Sequence, residues 1–214
     1  MSTDRNHALD LLRVLCILYI VGYWHLIPYT DWLPGYANAI TEAIKDIALG
    51  SFVYSSGMLL ARRDLSLRPP ALLDFYRRRV LRIYPLYLLA LLVFLAQGLA
   101  RPEVVVNAAL LISMFAPPAP PTLWFITMIM VFYLLAPFLM VAARSPRRFL
   151  VVTLAVYATC LGYGFGLHAL DSRLLLFFPA FALGIYVQRR ESLPALLHAR
   201  RHGLAALLLP AFVI

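Results

Sequence analysis

Charge is scarce in this chain. Only 14% of its 214 residues are Asp, Glu, Lys or Arg, against 63% hydrophobic residues and a mean hydropathy of +0.81. A soluble domain of this length cannot hide so much apolar surface in one core. Cysteine is scarcer still. Cys16 and Cys160 both fall inside apolar runs, which excludes a disulfide framework or a cysteine metal spacing and predicts two buried thiols. Ten-residue segments of alternating polarity are missing, which excludes a membrane β-barrel. No Walker loop and no dinucleotide glycine fingerprint occurs. Lysine appears once, at Lys45, so arginine carries nearly all of the net charge of +9. Those arginines lie between apolar runs, a pattern that orients helices in a bilayer and predicts no nucleic-acid partner.

What the chain does have is a succession of long apolar stretches. They predict an all-α, polytopic transmembrane bundle with the lipid bilayer as its solvent. Spans are expected at 11–29, 44–62, 80–99, 122–142, 149–167 and 172–188. A last run starts near Gly203 and is still apolar at Ile214, short of the about 20 residues a crossing needs. The expectation is six full spans plus a partial seventh, in a single membrane domain over 1–214 that is incomplete at its C-terminus. VVVNAALLISMFA, residues 104–116, is also too short to cross and precedes PPAPP; it predicts a re-entrant or interfacial helix before span four.

The charge distribution supports this parse. With the N-terminus in the cytoplasm, sixteen basic residues lie inside and only Lys45, Arg101 and Arg173 outside. Treating 104–116 as a span would put Arg144, Arg147 and Arg148 outside and spoil the bias. The expected location is the cell's inner or plasma membrane.

Two stretches carry chemistry. In LDLLRVLCILYIVGYWHL, residues 9–26, an otherwise apolar helix holds Asp10, Arg13 and His25. A charge at mid-membrane costs about 2.5–3.5 kcal/mol on insertion scales, so such groups usually face a cavity or a partner. Asp10 and Arg13 are three apart and share a helix face; they fit either a buried pair or a snorkelling interfacial one. His25 fits either a hydrogen-bonded core residue or a general base working near neutral pH. In DFYRRRVLRIYPLYLL, residues 74–89, Arg77, Arg78, Arg79 and Arg82 crowd the start of span three. They serve as a topology anchor or, because guanidinium groups grip phosphate bidentately, as a site for a polyphosphate donor such as a coenzyme A ester. The Tyr-Pro that follows predicts a kink.

These stretches, with FVYSSGMLL around Ser56 and Gly57 and TLWFITMIMVFYLLAP from Thr122 to Pro137, resemble in order and spacing the acyltransferase family 3 membrane proteins. The resemblance runs over nearly the whole chain. It implies O-acylation of a carbohydrate, glycolipid or other surface molecule, with acyl-CoA (commonly acetyl-CoA) as the donor and no metal. His25 is then the base or part of an acyl relay, with Asp10 and Arg13 orienting polar groups. Arg79 and Arg82, with Arg77 and Arg78, hold the donor phosphates. Ser56 and Trp124 line the substrate cavity. The competing class is an exporter of small polar solutes, which predicts an inverted repeat with paired broken helices; none is visible.

One spacing departs from the family. Eleven residues separate Arg13 from His25, where ten are usual, and a regular α-helix would set the two about 120° apart. If both serve one cavity, the backbone must absorb the extra residue. A π-bulge near Gly22 is the expected device.

Overall fold

The computed structural model describes residues 7–25, 35–62, 64–167 and 169–190, and among these every regular element is a helix. α1 (His7–Ile17) passes directly into a π-helical segment (Leu18–His25). α2 (Ala39–Ala61), α3 (Pro69–Ala96), the short α4 (Pro102–Ala109), α5 (Trp124–Ala142), α6 (Pro146–Leu167) and α7 (Ser172–Arg189) follow. α3, α5 and α6 are long and apolar enough to cross a membrane. The last apolar run, from Gly203, lies outside the described residues.

Local sequence sets the helix starts. α2 opens on a capping box: the Asn38 side chain accepts from the amides of Ile40 and Thr41 at 3.0 and 3.1 Å, and Thr41 Oγ1 accepts from the Asn38 amide at 3.0 Å. α3 opens on Pro69-Pro70, where the missing amide hydrogens cost nothing. That start precedes the apolar run read at 80, so the arginine cluster sits inside the helix and not ahead of it. Pro85 lies within α3, which continues through it to Ala96.

α5 is the centre of the bundle, with Met128, Phe132, Ala136 and Leu139 fully buried. Phe132 stacks on Phe181 of α7 at 5.2 Å between ring centroids. The tightest helix pair is α2 with α7. A Cβ added to Gly57 would run into the Phe181 carbonyl, and one added to Gly184 into the Tyr54 carbonyl. Without a hydrophobic force between helices in lipid, such small-residue crossings are how two backbones gain dispersion contact. α6 buries none of its residues, and α3 turns Leu81, Leu86, Leu89 and Leu92 outward. In a bilayer these faces need no protein cover.

The segment after α4 is the piece expected to re-enter. α4 has eight residues, and the chain then runs irregularly through 110–123. Irregular backbone at membrane depth survives only where its polar groups find partners. Tyrosines supply them. Tyr84 donates to the Ala109 carbonyl at 2.6 Å, Tyr87 to Ala108 at 3.3 Å and Tyr163 to Phe115 at 2.8 Å. The Asp171 amide donates to the Met114 carbonyl at 2.9 Å, which ties the segment to the start of α7. Tyr87, Ser113 and Thr127 join in a buried hydroxyl network, 2.8 and 3.2 Å at its links.

Candidate active site

A cavity of about 810 Å³ opens between the π segment, α2, the start of α5 and α7. His25 and Trp124 line it, as do Phe52, Phe125 and Phe177. Lys45, Asp46 and Arg173 supply its charged groups. The walls are aromatic and the polar groups few, the usual make-up of a small-molecule site.

The π segment explains how His25 reaches this cavity. Bonding from i to i+5 slows the rotation to roughly 80° per residue, so eight residues lag an α-helix by about 160°. That more than offsets the about 120° separation a uniform α-helix would impose and leaves about 40° on the other side. The distortion lies where the spacing predicts it, around Gly22, and extends over Leu18–His25 instead of a single bulge. The His25 ring lies near the backbone of Ile20, five residues back. In a neutral imidazole one ring nitrogen donates and the other accepts.

Arg13 does not line the cavity. Its guanidinium lies 4.7 Å from the centroid of Phe52, whose ring forms part of the cavity wall. Asp10 lies on α1 one turn before Arg13 and is half-buried. A second set of polar groups lies within electrostatic reach of the Tyr133 hydroxyl: Arg13, Arg79, Arg82 and the Ser56 side chain. Arg79 lies 6.0 Å from the Tyr133 ring and 3.8 Å from that of Phe75, and its Nη1 donates to the Phe75 carbonyl at 3.2 Å. Ser56 is buried and also donates to the Phe52 carbonyl at 2.8 Å.

The four arginines of α3 therefore divide. Arg79 lies beside the Tyr133 ring, and the charge of Arg82 also reaches its hydroxyl. Arg77 is exposed, and Arg78 pairs with Asp74 one turn back at 2.5 Å. Trp124 packs on Phe177 at 6.2 Å and carries the Arg173 guanidinium 4.2 Å above its ring. Sequence reasoning placed Tyr133 in a motif without a role and counted Lys45 and Arg173 only as outer charges. The available signal was that they run against the positive-inside bias, which a span end does not need.

Comparison with known proteins gives one result. A family model described as an acyltransferase domain matches residues 6–214. No curated protein and no solved structure matches. The match takes in both residue groups and almost the entire sequence: the chain belongs to acyltransferase family 3.

Proposed function

We propose that this acyltransferase takes an acyl group, acetyl first, from cytoplasmic acyl-CoA and transfers it to a hydroxyl of a carbohydrate or other surface molecule. The carrying observation is that one helix serves two sites. Its α-helical half brings Arg13 to the arginine group at Tyr133, and its π-helical half brings His25 to the cavity. The two are twelve positions apart, at most about 18 Å of helix. A long, flexible thioester arm bridges such a distance with its phosphates on Arg79 and Arg82.

At the cavity end, the lone-pair nitrogen of His25 takes the acceptor's hydroxyl proton. The oxygen bonds to the thioester carbonyl carbon, the carbon–sulfur bond breaks, and coenzyme A leaves as its thiolate. The imidazolium returns the proton to that sulfur. General-base assistance of this kind contributes about 10²–10⁴-fold. Asp10 and Arg13 set the charge balance beneath the cavity wall.

The same reading sets six full crossings and the N-terminus in the cytoplasm of a bacterial inner membrane. Radiolabelled acetyl-CoA, supplied to membranes containing the protein, tests the reaction. Label is expected in extracellular glycan; no label in any acceptor, with coenzyme A release no faster than in control membranes, overturns it. Orientation is read from Ser66→Cys with Cys16 and Cys160 replaced. An impermeant thiol reagent should reach it only after permeabilisation, and labelling in intact cells overturns the arrangement.

A further inference from the structure

Two of the three basic residues that oppose the charge bias, Lys45 and Arg173, line the His25 cavity. Arg173 is held in a built setting. Its Nε and Nη2 donate to the two carboxylate oxygens of Asp171 at 2.8 and 2.5 Å. Asp171 is buried, caps α7 through the Arg173 amide at 3.1 Å, and is tied by its own amide to Met114. The indole of Trp124 supports the guanidinium plane. Asp171 thus takes two of the five N–H groups, and among the described residues Nη1 has no hydrogen-bond partner. A donor edge fixed by a carboxylate and an indole loses little freedom when it binds.

The charges at this mouth are balanced in pairs. Asp171 compensates Arg173, and Asp46 lies 3.5 Å from Lys45, which itself sits 4.7 Å from the Trp24 ring. An incoming anion would meet Asp46 in the cavity and compete with Asp171 for the guanidinium. An uncharged oxygen meets neither cost and accepts from the open N–H edge.

We propose that Arg173 binds the acceptor, and that the group it takes is an uncharged hydroxyl or ether oxygen of a polyol ring lying against His25. This rests on the acyl-transfer reading above. The test uses the protein in lipid nanodiscs, with methyl glucoside, methyl galactoside and methyl mannoside as neutral probes and glucuronate as the anionic one. Binding is followed by tryptophan fluorescence in wild type, Arg173→Ala and Arg173→Lys. At least one neutral glycoside should bind more tightly than glucuronate. Its affinity should fall by about tenfold or more in Arg173→Ala. Arg173→Lys, which keeps the charge without the planar fork, should lie between, so the result does not depend on one variant folding. Equal affinity in all three proteins, tighter binding of glucuronate, or no saturable change with any neutral glycoside overturns the proposal. Release of coenzyme A from acetyl-CoA by the wild type is measured in parallel. Its absence counts against the acyl-transfer reading alone, because the binding data stand without it.

Discussion

The His25 cavity and the arginine group at Tyr133 differ in how their charges are arranged. In the cavity each strong cation has its own carboxylate, Asp171 for Arg173 and Asp46 for Lys45. Near Tyr133 the charges of three arginines from two helices act on one phenol. Several like charges gathered in an apolar surrounding favour a negative group among them. The compensated mouth suits a neutral acceptor and the gathered arginines suit a polyanionic donor. Phe52 stands where the two meet, its ring in the cavity wall and against Arg13.

The strongest way to break this division is at His25. His25→Ala should lower transfer by about 10²–10⁴-fold, with membrane abundance unchanged. Full turnover in that variant would leave the cavity without a base and remove its catalytic standing. Next in size is the donor side. Arg82→Ala should raise the KM for acyl-CoA by about tenfold or more, the scale of a lost charged hydrogen bond, while the acceptor KM stays put. Arg82→Lys should recover part of the loss. An acceptor KM that rises with the donor KM would show that the two sites are not separate, and the comparison would fail.

Hydropathy made the long apolar helices legible, and it also singled out 104–116 as a stretch that does not cross, because burial in lipid is what hydropathy measures. It misplaced the start of α3, whose first turns are polar; the Pro69-Pro70 start signal was present but carries no hydropathy. The sequence did mark the π segment: the one-residue excess between Arg13 and His25 pointed to a distortion near Gly22, although His25 lines the cavity and Arg13 does not. Roles that depend on distant partners were not marked. Nothing local to Tyr84, Tyr87 and Tyr163 marks the carbonyls of Ala109, Ala108 and Phe115 that their hydroxyls meet. Arg173 gains its meaning only from Asp171 and Trp124.

A smaller effect bears on both sites at once. α2 carries Phe52 and Ser56 to the two regions and is seated on α7 by Gly57 and Gly184. Gly57→Ala forces a methyl against the Phe181 backbone, which cannot swing aside as a side chain tip can. The expected cost is about 1–3 kcal/mol, read as a lower thermal midpoint in detergent. Donor and acceptor KM should rise together, unlike the arginine variants. Gly184→Ala acts on the same crossing, so the double variant should lose less than the sum. Unchanged stability in both single variants would mean that this crossing does not set the position of α2.

The smallest effect should come from outside both sites. Asp64, in the loop between α2 and α3, pairs with Arg189 at the end of α7. The hydrogen bond and charge of Arg189 hold the Asp64 carboxyl below the usual carboxylate range, with Arg144 adding from further away. A depressed pKa means that the fold favours the ionised form. The contribution is therefore complete above the unfolded value of about 3.9 and is lost as pH falls through the lower folded value. Asp64 is exposed, so water and salt screen the pair. Asp64→Asn should lower the thermal midpoint slightly at pH 7, and the gap should close as the pH falls below the ordinary carboxylate range. Half-molar salt should narrow it at neutral pH. Donor and acceptor KM should both stay at their wild-type values, because the loop touches neither region. A gap that persists unchanged into acid would assign the effect to something other than the carboxylate charge. A shift in only one KM would connect the loop between α2 and α3 to that site and redraw the boundary between the two.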